Sequence, residues 1–156
     1  MRLQVSRANI AAVCRHARAA FPNECCGFII ERQGRREVVR VSNVQNQLHA
    51  KDPMQFPRSA RTAYTMRWKE VEPLLEAAYR GQIRLVAVYH SHPKHGAYFS
   101  AWDRAAAEGW VDDPNYATAG QIVVSVHRRR VCRMKGFAWD ATVRGFVEVE
   151  IEISGA

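Results

Sequence analysis

The chain of 156 residues is 47% hydrophobic and 24% charged, the composition of an ordinary globular protein and the length of one domain (residues 1–156) able to bury a core without cross-links. No apolar run approaches the ~20 residues needed to cross a bilayer, and the N-terminus lacks the apolar core of a secretory signal, so no membrane association and a cytoplasmic location are expected. The formal charge of +8 fits a nucleic-acid surface, an acidic protein partner or merely a basic proteome. The arginines are scattered, with clusters at Arg35-Arg36 and Arg128-Arg129-Arg130, and no nucleic-acid-binding motif accompanies them, so they are read as solvated hairpin turns and nucleic acid is not the expected partner. Cys14, Cys25, Cys26 and Cys132 form no C-x-x-C and are read as reduced, buried thiols.

In chain order, Leu3-Gln4-Val5 alternates as a short strand. Ile10, Val13, Cys14 and Ala17 then mark one face of a helix that Phe21-Pro22-Asn23 ends. Glu24 stands at the mouth of a second strand, Cys25–Ile30, which pairs through a Gln33-Gly34 turn with Glu37–Val41. Residues 43–60 carry two prolines and several amides without periodicity, and read as a long functional or mobile loop. Val71, Leu74, Leu75 and Ala78 predict a helix beginning near Glu70, which leaves Pro73 in its first turn, and Gly81 ends it. A strand to His90, a helix over Ala101–Trp110, a break at Asp112–Asn115, strands at Gln121–Val126 and Val131–Phe137, and an alternating strand at Val147–Ile153 complete an α/β or α+β domain.

Chemistry concentrates at Tyr89-His90-Ser91-His92-Pro93, with Ser100 and Asp103 downstream. The preceding run Ile83–Tyr89 is almost unbroken in apolar residues, as in a strand buried on both faces. If the strand persists, His90 and His92 project from one side, and Ser91 points the other way as a structural residue. Two imidazoles and a carboxylate are the ligand set of a catalytic zinc that keeps its fourth position for water. Ser100-x-x-Asp103 is also a capping box, and Asp103 cannot belong wholly to both roles; the ligand reading is preferred because of the histidines. His95 is read as an exposed loop residue rather than a fourth ligand, and His16, His49 and His127 as surface residues without partners. Cys25 and Cys26 are assigned to the core, and Trp102 and Trp110 to packing.

Glu24, His90-x-His92-Pro93, Ser100 and Asp103, in that order and spacing, resemble the JAMM (MPN+) metalloprotease family over most of the chain, roughly Leu3 to Phe137. The Glu24-Cys25-Cys26-Gly27-Phe28 context is similar to short prokaryotic members. The departure is Tyr98-Phe99 before Ser100, where many members carry a proline. The resemblance implies a three-layer fold with a central mixed sheet flanked by helices. It also implies zinc on His90, His92 and Asp103, Glu24 as general base and acid, and Ser100 as oxyanion donor.

Family members hydrolyse the amide bond after the C-terminal Gly-Gly of ubiquitin-like or sulfur-carrier proteins, so the implied partner is such a protein, with a co-encoded activating enzyme as a possible companion. The implied work is deconjugation or C-terminal processing, or alternatively release of cysteine from a sulfur carrier. A non-catalytic MPN scaffold is the alternative of another class, although scaffolds lack the ligands. A zinc deaminase is excluded because His-x-Glu and Pro-Cys-x-x-Cys are missing. A cell-wall peptidase of this family would be coupled to a second peptidase domain. Residues 43–60 and 112–119, with Phe56 and Tyr98, are the expected flanks of the substrate groove.

Overall fold

The computed structural model describes residues 2–155. Its elements are β1 (Arg2–Ser6), α1 (Arg7–Ala20), β2 (Cys26–Arg32), β3 (Arg35–Val41), α2 (Gln45–Lys51), α3 (Trp68–Tyr79), β4 (Arg84–Pro93), α4 (Ala101–Glu108), α5 (Pro114–Ala117), β5 (Gly120–His127), β6 (Arg130–Asp140) and β7 (Gly145–Ser154). One seven-stranded sheet runs in the order β1-β7-β6-β5-β4-β2-β3. The β4–β5 and β1–β7 pairs are parallel and the rest antiparallel, so the sheet is mixed.

Helices cover both faces. Val13 and Ala17 of α1 pack on Ile29, Ala87, Tyr89, Ile122 and Val124. On the opposite face Val71 and Ala78 of α3, Ala107 of α4 and Tyr116 of α5 pack on Phe28, Ile30, Val88 and Val123. β4 lies inside this sandwich, and every residue from Leu85 to Pro93 is buried, which is why its sequence shows no polar alternation. The sandwich is tight where β2 crosses β4: Gly27 pairs with Tyr89, and a β-carbon at Gly27 would collide with the Tyr89 phenol and the Val39 carbonyl. Among the described residues no helix is long and apolar enough to cross a membrane.

Several sequence expectations are corrected. Residues 43–60 contain the helix α2, and α5 occupies part of residues 112–119, which were also expected as a loop. α2 is held by amides rather than by an apolar face: Gln45 Nε2 donates to the Arg58 carbonyl and Asn46 Oδ1 accepts from Ala60 N–H. α3 begins at Trp68 rather than near Glu70, so Pro73 lies inside the helix and removes one backbone donor there. Cys25 and Cys26 are buried as expected, but Cys14 is only partly buried and Cys132 is exposed on β6. Finally, His16 and His49 have partners: His16 Nδ1 shares a 2.7 Å hydrogen bond with the Tyr89 hydroxyl, and His49 Nδ1 lies 2.7 Å from the Phe56 carbonyl.

Candidate metal centre

The extended backbone of β4 continues through the histidines to Pro93, so His90 and His92 do project from one face. α4 brings the third group. Ser100 is its N-cap and Asp103 lies in its first turn, where the helix N-terminus favours a carboxylate. His90 Nε2, His92 Nε2 and Asp103 Oδ2 then form a triangle with all three edges 3.1 Å. All three side chains are buried. Exposed His95 is not part of the group.

The donor set fits a tetrahedral cation. Ligand atoms about 2.05 Å from such an ion stand roughly 3.3 Å from one another, close to the observed spacing. Tautomers point the same way. His92 Nδ1 lies 2.9 Å from the Gly96 carbonyl and must donate to it, which leaves Nε2 of the neutral ring a bare lone pair facing the carboxylate oxygen. Only a proton or a cation reconciles those two acceptors. Burial opposes charge on His92, yet the hydrogen bonds to Asp103 and the Gly96 carbonyl prevail and raise its pKa. Burial lowers that of His90 against the pull of Asp103. Burial also works against ionised Asp103, but the two imidazoles and the Ser100 side chain outweigh it and hold the carboxyl far below its ordinary range. A carboxylate kept ionised between two imidazoles is what a divalent cation requires.

Capping and ligation were expected to compete at Asp103, and they coincide instead. Ser100 Oγ accepts from Asp103 N–H at 3.0 Å, and Asp103 Oδ2 accepts from Ser100 N–H at 3.1 Å while the same oxygen faces both imidazoles. A carboxylate oxygen has lone pairs enough for both. The capping box therefore positions the carboxylate rather than withdrawing it.

Glu24 is buried beside this group without joining it. Its backbone is pinned on both sides: its N–H donates to the Ala60 carbonyl at 2.7 Å and its carbonyl accepts from Asn43 Nδ2 at 3.0 Å. Its Oε1 has no hydrogen-bond partner among the described residues. Burial is the main cause that pushes its pKa up to about 8; the His92 and Arg58 charges pull it down and Asp103 pushes it further up. Next along the chain, Cys25 N–H donates to Ser91 Oγ at 2.8 Å and Ser91 N–H donates to the Cys25 carbonyl at 3.1 Å. Ser91 thus points away from the triangle, as its place between the ligands predicts, and ties the Glu24 end of β2 to the histidine end of β4.

Several neighbours carry no signal in the sequence. Tyr64 stacks on His90 with ring centroids 4.6 Å apart. Asn43, one of the amides in the segment read as a loop, holds Glu24 and also bonds the Ala63 carbonyl and the Thr65 and Gln45 N–H groups. Arg58 lies over the half-exposed ring of Trp102, 4.7 Å from its centroid, so Trp102 packs at the surface. Trp110 is likewise part-exposed and stacks on Trp68. Tyr98 sits edge-on to His92 at 5.0 Å, and more than half of it is exposed.

A mixed sheet between helical layers, with a buried His-His-Asp group at the end of a central strand, defines an α/β protein with a candidate metal centre. The family described as prokaryotic homologs of the JAB domain matches residues 6–140, and the chain belongs to that family. Comparison with curated proteins gives no match. Among solved structures, a protein from Desulfitobacterium hafniense is similar with a TM-score of 0.66 and 20% identity, over 100% of this chain and 94% of that one. A JAB1/MPN domain protein from Archaeoglobus fulgidus is similar with a TM-score of 0.56 and 14% identity, over 98% of each chain. A protein from Salinibacter ruber is similar with a TM-score of 0.56 and 21% identity, over 99% of this chain and 92% of that one. At these identities the likeness concerns the fold. The expected JAB/MPN architecture, a central mixed sheet flanked by helices, is thereby borne out.

Proposed function

We propose that the chain is a zinc metallopeptidase that hydrolyses the amide bond after the C-terminal Gly-Gly of a ubiquitin-like or sulfur-carrier protein. The observation that carries this reading is the triangle of His90, His92 and Asp103 with a buried glutamate beside it that has an unpartnered oxygen. A zinc ion held by the three residues would supply Lewis acidity and bring the pKa of a water down towards about 7.

The chain's own groups supply the rest. Glu24 Oε1 takes a proton from the attacking water and delivers it to the amine as the amide bond breaks; burial raises its pKa, and the charge of a cation on the neighbouring triangle would draw it back down so that the carboxylate starts ionised. Ser100 Oγ already accepts the Asp103 N–H, so its own O–H is free to donate to the amide oxygen as charge develops there. A donor of that kind is worth ~2.7–4 kcal/mol in other hydrolases. A carrier tail lying across the site as an added strand would pass between Tyr98 on one side and Arg58 and Trp102 on the other. Free cysteines suit the reducing cytoplasm proposed as its setting. Cysteine release from a sulfur carrier uses the same chemistry on a one-residue leaving group.

The test is intact-mass analysis of a Gly-Gly-ending carrier bearing a short C-terminal extension, incubated with zinc-loaded protein. Loss of the extension with wild type, but not with Glu24→Gln or in chelator, is expected. A folded, zinc-loaded wild type that leaves a panel of ubiquitin-like and sulfur carriers intact would favour a non-catalytic scaffold.

A further inference from the structure

The cation-rich turns were read as solvated hairpin ends, and the geometry at one of them argues otherwise. β5 runs parallel to β4 with Ser125 beside His92 and Val126 beside Pro93, so the β5–β6 turn emerges at the same end of the sheet as the metal-type triangle. Lys94 N–H donates to the Val126 carbonyl at 2.7 Å, and Ser125 Oγ donates to the His95 carbonyl, which locks the segment after His92 to that turn. On its other side, Arg129 Nη1 donates to the Arg18 carbonyl at 3.2 Å. Lys94, Arg128, Arg129, Arg130 and Arg18 therefore make a continuous rim from the mouth of the site to the last turn of α1. All five are exposed, and none takes part in an ion pair among the described residues. α1 and the stretch Gln121–Gly136 contain no acidic residue at all.

Backbone conformation marks three cations of this rim, as it also marks Arg144 on the β6–β7 turn. His127 pairs with Arg130, so Arg128 and Arg129 are the two central residues of a tight hairpin, with φ of 51° and 62°. Turns with both central φ values positive favour Asn-Gly, because a β-carbon is crowded there. The chain makes the same kind of turn between β2 and β3 and places Gly34 in it, at φ 76°. Lys94, with φ 64°, is a third cation in the left-handed region. Among the described residues, three of the five non-glycine residues with positive φ are thus cations on this rim. The tight turn requires positive φ but not arginine, so two arginines where Asn-Gly would be less strained point to a role beyond closing the hairpin.

We infer that the rim of Lys94, Arg128, Arg129 and Arg18 docks an acidic face of the folded protein whose tail enters the site. The inference rests on the reading of that site as one that takes a protein tail. An acidic protein is favoured over nucleic acid because the rim adjoins a site read as one of peptide-bond chemistry and no nucleic-acid-binding motif accompanies the arginines.

The test uses zinc-loaded full-length protein carrying Glu24→Gln, so that binding is read without turnover. Fluorescence anisotropy follows a short fluorescein-labelled poly-L-glutamate and, separately, an oligouridylate of matched charge. The double substitution Arg128→Asn with Arg129→Gly installs the preferred turn pair, so it is expected to keep or raise the unfolding midpoint while weakening polyglutamate binding roughly fivefold or more. Arg18→Ser is expected to weaken it as well. Arg144→Asn removes one charge from another left-handed position, on the β6–β7 turn at the far end of β6, and should leave binding unchanged. Equal losses in all variants, no measurable polyglutamate binding, or tighter binding of the oligouridylate through the same arginines would each overturn the proposal. Hydrolysis of an extended Gly-Gly carrier, followed in the Glu24 form, tests the peptidase reading separately: rim-dependent binding without hydrolysis removes that reading and leaves the docking surface in place.

Discussion

Substituting Ser91 by alanine probes how the fold holds the general-base candidate against the metal-type group. Ser91 is fully buried, and its Oγ accepts the N–H of Cys25, itself 2% exposed, at 2.8 Å. Alanine leaves that N–H buried without an acceptor, a loss of about 1–3 kcal/mol. For a chain of this size each kcal/mol moves the unfolding midpoint by about 2–4 °C, so Ser91→Ala should lower it by about 2–12 °C. Far-UV circular dichroism melts in chelator isolate this effect from any metal linkage. Thr118→Ala removes an exposed hydroxyl that bonds only to backbone carbonyls of its own turn and should stay within about 0.5 kcal/mol of wild type. If both variants melt together, the Ser91–Cys25 tie does not stabilise the β2–β4 junction and the reasoning fails. Zinc content should be the same in Ser91→Ala and wild type, because the side chain points away from the ligands.

Other positions give sharper single outcomes. Gly27→Ala drives a β-carbon into the Tyr89 phenol and the Val39 carbonyl, and should lower stability by about 1–3 kcal/mol in urea titrations; an unchanged midpoint refutes the close approach. Burial, with the Arg40 charge adding to it, lowers the pKa of His16 from 6.5 to about 4. Below pH ~6.5 the unfolded chain therefore takes up a proton that folded His16 refuses until about pH 4. Stability should fall as pH drops through that window, more steeply in wild type than in His16→Gln, and parallel curves would count against it. Zinc at a thousandfold excess over its dissociation constant should add about 4 kcal/mol and raise the melting midpoint by about 8–16 °C. Asp103→Ala should abolish that rise.

Much of the site was legible because its chemistry is local in sequence. His90 and His92 lie two apart on one strand, and Asp103 is fixed by a helix start that Ser100 announces. The core of β4 was legible for a related reason: a strand covered by helices on both faces carries an unbroken apolar run. What escaped depends on distant partners or on backbone amides. Asn43, Gln45 and Asn46 satisfy backbone groups of the segment that presents Glu24, and such bonds leave no periodicity, so α2 read as loop. Tyr64 meets His90 only through tertiary packing, 26 positions apart in the numbering. His16 gave no hint of Tyr89, because a histidine facing across a helix–sheet interface has the same sequence context as one facing water. The left-handed conformation of Arg128 and Arg129 was hidden because arginine, unlike Asn or Gly, carries no signal for such a turn.

The most direct test of the central claim is metal analysis of the purified protein after zinc loading and desalting, for wild type, Glu24→Gln and the His90→Ala, His92→Ala and Asp103→Ala variants, each first shown to be folded by circular dichroism. One zinc per chain in wild type and Glu24→Gln, and none in the three ligand variants, is the expected result. Zinc-free wild type, or ligand variants that keep the wild-type content, would contradict the assignment of His90, His92 and Asp103 as a metal centre.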